Sequence, residues 1–332
     1  MKKRISILLV LAILALGLVG CGQEKADKIP GRLKEITLVL DWTPNTNHTG
    51  IFVARDKGFF EEAGIELSIV QPPEDGAEAL TAIGKADFGI SFQDTIAAAW
   101  SKEDPLPVTA VATIIQHNTS GIVSLKGNGI ESPRGMENKT YATWEMPIEQ
   151  KIIETVMERD GGDFSKLRLI PSTVTDVITA LKTDIDAIWI YYGWDGIALE
   201  TKGVEADYFA FKDIDETFDY YTPIIIGNND FLAENPELTK DFLAALEKGY
   251  RYAIEKPEEA ADILLESSPE LDRDIVVNSQ KYLAKEYMAE LDRWGYIDSD
   301  RWNNFYSWLY ENKLIDLKIE EDFGFTNEFL PE

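Results

Sequence analysis

Residues 36–70 read ITLVLDWTPNTNHTGIFVARDKGFFEEAGIELSIV, and the succession of patterns in them decides the fold. Ile36-Thr37-Leu38-Val39-Leu40 is a short apolar run with β-branched residues, which predicts a buried strand. A polar loop follows, from Asp41 to Gly50. Ile51, Phe52, Ala54, Phe59 and Phe60 then recur at near-helical spacing within Thr49 to Ala63, and Gly64 is a helix stop. Ile65 to Val70 alternates as a second strand. Strand, helix and strand in this order predict a parallel pair with the helix laid on one face.

The same grammar continues outward. Glu78–Gly84 and Ile96–Trp100 read as helices, and Phe88–Ile90 and Val108–Ile115 as strands. A second unit follows, with strands expected at 139–143, 167–170, 187–191 and 208–211. Helices are expected between them at 148–159, 174–182 and 196–202. Ile224-Ile225-Ile226 is one more strand. From Pro236 the character changes to long amphipathic helices, at 238–254, 257–265, 275–288 and 302–312. The chain therefore reads as α/β, with two lobes and a C-terminal helical extension. Each lobe is expected to be a mostly parallel sheet covered by helices. Residues 121–125 and 222–227 are expected to cross between the lobes. That makes 34–126 and 222–332 lobe one, with lobe two, 127–221, inserted. Ligands of open α/β sheets bind beyond the carboxyl ends of the strands, and two facing lobes offer a cleft there.

Composition narrows the partners. The 332 residues carry 59 acidic and 32 basic side chains, for a net charge of −27. Such a surface excludes nucleic acid, whose phosphates need clustered Lys and Arg. Met1-Lys2-Lys3-Arg4 followed by the apolar run Ile5–Val19 reads as a secretory signal segment, too short for a membrane-spanning helix. Leu18-Val19-Gly20-Cys21 resembles the bacterial lipobox, which implies lipidation of Cys21 after removal of residues 1–20. That removal leaves 29 basic groups against 59 acidic ones, near −30. Cys21 is the only cysteine, so the chain forms no internal disulfide. Residues 21–33 are expected to be a tether, placing a lipid-anchored domain at the extracytoplasmic face of the cell membrane.

The expected strand ends are rich in rings and hydrogen-bonding groups. The first strand runs into Asp41, Trp42, Asn45 and His48, and the third into Phe92 and Gln93. The second lobe contributes Trp144 and Glu145, then Tyr191, Tyr192, Trp194 and Asp195. Asn47 or Thr46 is expected to cap the following helix. Tyr and Trp beside carboxylates and amides suit a flat polar heterocycle, whose faces the rings cover and whose N–H groups the carboxylates accept. Arg55 and Lys57, within the first helix, read as solvated.

Asp41 to Gly50, with Phe52-Val53-Ala54 and Lys57-Gly58-Phe59-Phe60, resembles the thiamine-pyrimidine-precursor family. Trp144 to Glu149 and Trp189 to Gly196 extend the likeness over nearly the whole chain after its leader. That family contains substrate-binding lipoproteins of ABC transporters and fungal enzymes that make the thiamine pyrimidine. The resemblance implies a two-lobed type II periplasmic-binding-protein fold. It implies formylaminopyrimidine as ligand, with riboflavin or another aromatic heterocycle as the alternative, and an ABC permease with its ATPase as partners. The fungal enzymes use the histidine corresponding to His48 and carry a cysteine-rich segment tied to an iron requirement. This chain lacks that segment, so His48 is expected to be a pocket wall. No catalytic residue, metal site or cofactor is expected, and the protein is expected to act as a monomer. His48 and His117 form no recognisable metal motif, and neither a P-loop nor a GxGxxG fingerprint occurs.

Overall fold

The computed structural model describes residues 33–74 and 76–332. The expected signal segment, Cys21 and the tether up to Arg32 lie outside the described residues. Among the described residues no helix is long and apolar enough to cross a membrane.

Among the described residues ten strands form two five-stranded sheets. The first contains β1 (Lys34–Val39), β2 (Ile65–Val70), β3 (Phe88–Ser91), β4 (Val108–Thr113) and β10 (Ile224–Asn228), in the order β2-β1-β3-β10-β4. The second contains β5 (Ser120–Leu125), β6 (Thr140–Thr143), β7 (Arg168–Pro171), β8 (Ala187–Tyr191) and β9 (Ala206–Ala210), in the order β7-β6-β8-β5-β9. β1 pairs with β2 and β3, and β6 with β7 and β8, in parallel. β10 and β5, by contrast, pair antiparallel on both sides. Each sheet is therefore mixed where a mostly parallel one was expected. The two exceptions are the strands through which the chain passes from one sheet to the other, so they arrive against the local direction. Ser120–Leu125, expected as a crossing attached to lobe one, is an inner strand of the second sheet.

Local chemistry explains other departures. The helix expected over 49–63 is two helices, Thr49–Asp56 and Phe59–Glu62, because Gly58 takes a left-handed conformation at φ 75°. Of the helix expected over 174–182 only Val177–Ala180 forms, started by the Asp176 side chain accepting from Thr179 N–H. Phe211, expected at the end of a strand, instead opens a short helix after β9.

The C-terminal helices hold the first sheet's loop from behind. Thr49–Asp56 packs on Pro236–Glu255 with backbones nearly touching. A Cβ on Gly50 would sit 2.4 Å from the Tyr250 ring, and one on Gly249 would sit 2.0 Å from the Gly50 carbonyl. Tyr250, Tyr287 and Trp294 fill the core there, with Tyr250 and Trp294 stacked at 4.6 Å. The Ser299–Glu311 helix closes the other end, where Phe305 stacks on Tyr220 at 4.1 Å. Burying each such ring stabilises the fold by roughly 2–3 kcal/mol.

Candidate functional site

The loop after β1 is rigid for reasons internal to it. The Asn45 side chain accepts from Asn47 N–H at 2.9 Å and caps a single turn, Thr46–His48. His48 is fully buried, and its Nδ1 accepts the Asn45 backbone N–H at 3.2 Å. The proton therefore resides on Nε2, which donates to Asp41 Oδ1 at 2.6 Å. His48 thereby fixes one oxygen of Asp41 and keeps none of its own ring edge free. Tyr250 and Tyr287 donate from below to the carbonyls of Asn47 (2.8 Å) and Thr46 (2.6 Å). Trp42, between these anchors, projects into solvent with 61% of its surface exposed.

The strand ends of the two sheets meet around Tyr191. Phe92, after β3, and Tyr191, ending β8, lie nearly parallel at 20° with centroids 6.4 Å apart. Burial drives the Tyr191 phenol well above its usual range, and the carboxylates of Asp94, Asp41 and Asp195 add to the rise. Burial also raises Asp195, to about 6, against a backbone hydrogen bond at Tyr191 that lowers it. Asp41, Phe92, Tyr191 and Asp195 thus lie near one another. Beside them lies a cavity of ≈ 20 Å³ lined by Asn45, Thr46, Tyr191, Gly193, Trp194 and Thr222. It has room for about one water. Among the described residues no group of three or more His, Cys, Asp or Glu side chains is arranged to hold a metal ion.

Two predicted site residues point elsewhere. Gln93 is buried and spends its amide on structure: Nε2 donates to the Trp302 carbonyl at 3.0 Å, and Oε1 accepts from Tyr221 N–H at 2.8 Å. It clasps the C-terminal helix to the second crossing. Tyr192 follows Tyr191 but faces the opposite side, as alternation at a strand end demands. Its ring packs on Tyr208 (4.7 Å) and Tyr282 (5.4 Å), and its hydroxyl donates to Glu200.

Trp144 and Glu145 sit on a second exposed loop, after β6. Trp144 leans on Trp189 at 5.6 Å, and Glu145 holds a left-handed backbone at φ 63°. The organiser is Glu149, at the end of the Trp144–Glu149 segment. Buried to 3% exposure, it accepts from Tyr141 OH (2.6 Å), Thr143 Oγ1 (3.0 Å), Trp144 N–H (3.1 Å) and Met146 N–H (3.3 Å). Ser279 is a second organiser. Its hydroxyl donates to the Gly193 carbonyl and accepts from Thr46 Oγ1 at 2.6 Å, linking the loops of the two sheets. A serine on an amphipathic helix carries no sequence signal of such a role.

Comparison with known proteins places this architecture. Two mixed sheets covered by helices match the periplasmic aliphatic sulphonate binding protein SsuA from Escherichia coli. Its TM-score is 0.67 at 13% identity, covering 86% of this chain and 95% of that one, a likeness of fold. A formylaminopyrimidine-binding protein from Halalkalibacterium halodurans is 26% identical over 339 residues, spanning 98% of this chain and 99% of the relative. A 4-amino-5-hydroxymethyl-2-methylpyrimidine phosphate synthase from Legionella pneumophila is 29% identical over 305 residues, 90% of this chain and 92% of the relative. Residues 45–260, well over half of the sequence, match the family model described as NMT1/THI5 like. This chain is a member of the NMT1/THI5-like family, built on the periplasmic-binding-protein fold.

Proposed function

We propose that this protein is the lipid-anchored, extracytoplasmic binding component of an ABC importer, and that it captures formylaminopyrimidine for thiamine salvage. The observation that carries the reading is the meeting of Phe92 and Tyr191 from different sheets beside Asp41 and Asp195. A planar guest held at about 3.5 Å from each ring needs the two faces about 7 Å apart. The ring centroids stand 6.4 Å apart and the rings are nearly parallel, so parting of the lobes is what would admit a guest ring between them. Carboxylates beside the rings accept from amino and ring N–H groups, and in a low-dielectric cleft such bonds discriminate strongly. Trp42, Trp144 and Glu145, on the two exposed loops, complete the proposed mouth, and Trp194 its inner wall. Anchoring through Cys21 holds the loaded protein near its permease.

Relatives named as synthases leave an enzyme as the competing reading, and His48 is where it would act. Its geometry favours binding. Both ring nitrogens are engaged and the ring is fully buried, so it presents no free base to a substrate. The test is calorimetry with formylaminopyrimidine, competed with riboflavin, followed by mass spectrometry of the released ligand. Micromolar or tighter binding with unchanged ligand supports the reading. Covalent change of the ligand at catalytic rates overturns it.

A further inference from the structure

Asp94 has no part in the sequence-predicted site, yet it lies next to Gln93 and Phe92 at the start of the Gln93–Trp100 helix, beside Tyr191. Three tyrosines, Tyr191, Tyr220 and Tyr306, lie near it. Tyr220 donates to Oδ2 at a long 3.3 Å, while the nearby hydroxyl of Tyr306 is spent on the Gln93 carbonyl at 3.0 Å. Oδ1 is buried and has no hydrogen-bond partner among the described residues. A carboxyl in that condition costs free energy that a satisfied one does not, because an idle buried acceptor forfeits its bonds to water.

Building on the function proposed above, we infer that Asp94 is the lobe-one residue that selects an amino-bearing heteroaromatic ring. The chemistry it fits is an amidine-like edge, in which an exocyclic amino group stands next to a ring nitrogen. Oδ1 accepts from the amino N–H, while a protonated carboxyl donates back to the ring nitrogen, or a protonated ring donates to the carboxylate. Burial supports this versatility by pushing Asp94 up to about 6, opposed by the nearby Thr95 and Asp94 N–H groups and by the Tyr220 hydroxyl. Glu78 adds a small further rise from the same side, where it is held by Ser91 Oγ at 2.6 Å. Tyr191, from the second sheet, borders Asp94, so parting the sheets brings a guest to Oδ1 and to the face of Tyr191 together. A ring without the amino group gains the stacking and leaves Oδ1 idle.

The experiment compares Asp94→Asn with the unaltered protein, using formylaminopyrimidine and an analogue carrying hydrogen in place of its ring amino group. Calorimetry should show the unaltered protein preferring the amino ring at least tenfold. Asp94→Asn should lose at least tenfold on that ring and less than twofold on the analogue. The variant should melt higher than the unaltered protein at pH 7 and no higher at pH 4, which shows that it is folded and that a costly carboxylate is gone. Equal losses on both rings, or no loss on either, overturn the role of Asp94 while leaving the ligand reading standing. Failure of the unaltered protein to bind either ring removes the ligand reading, and the role of Asp94 falls with it.

Discussion

The chain has two histidines, each set against carboxylates, and their surroundings make them opposites. His48, in the loop after β1, meets one backbone donor and one carboxylate. One ring nitrogen accepts and the other donates, so the ring works as a strut for Asp41. His117, in the crossing after β4, meets a carboxylate on each nitrogen: Asp219 at 2.7 Å and Glu290 at 2.9 Å. Both nitrogens donate there only when the ring is a cation. The hydrogen bond to Asp219 is the main cause that raises its pKa, helped by Glu290, while burial and Arg301 oppose. Glu286, itself raised chiefly by burial, and Lys212 lie in the same cluster. Asp219 also accepts Asn118 N–H at 2.9 Å and sits 3.6 Å from Arg301, so the cluster clasps both crossings to the C-terminal region. A histidine beside an acid is thus a rigid hydrogen-bonded strut in one place and a charge clasp in the other. The atom facing the second nitrogen decides which.

The largest effect expected from this contrast is on His48. His48→Ala removes a buried ring and leaves Asp41 and the Asn45 N–H without partners, costing roughly 2–4 kcal/mol. Urea unfolding measures it, and a loss below about 0.5 kcal/mol breaks the description of His48 as a strut. Next comes Trp42, which the strut's loop presents to solvent. Trp42→Ala should weaken formylaminopyrimidine at least tenfold, about 1.4 kcal/mol, with little change in unfolding. Unchanged affinity would detach the exposed ring from the site.

The smallest effect sharpens the other half of the contrast. His117→Gln should cost about 1 kcal/mol at pH 6, a charge-assisted bond discounted for partial exposure. The sign follows from the raised pKa. The clasp is fully present below the ordinary histidine value near 6.5 and fades as pH rises through the higher folded value. Thermal melts of both proteins from pH 5 to 9 should therefore converge at the alkaline end, and a pH-independent difference would deny the cation.

Much of the fold was legible because burial writes itself into period and composition. The apolar runs at 36–40, 187–191 and 224–226 are strands, and the amphipathic pattern after Pro236 is helical. Strand direction was less legible. β5 and β10 look like any buried strand, and their antiparallel pairing depends on where the chain has come from. The site divides in the same way. That Asp41, Phe92, Tyr191 and Asp195 lie near one another was legible because strand ends in such folds border clefts. Gln93 and Tyr192 were misplaced because neighbours in sequence turn to opposite sides, and only packing says which side is the cleft. Glu149 and Ser279 had no mark at all, since both act through backbone groups that sequence does not distinguish.

The sequence by itself determined the alternation of strands and helices, the excess of acid, the aromatic and carboxylate content of the strand ends, and the family. Those follow from local period, residue chemistry and motif. Tertiary structure alone decided which atoms face the ring nitrogens of each histidine, and that Phe92 faces Tyr191 across two sheets. It also decided that one Asp94 oxygen there is without a hydrogen-bond partner among the described residues. The reason is physical: hydrogen bonds and burial are properties of the atoms that surround a group, and in this fold those atoms come from segments as far as 241 residues away.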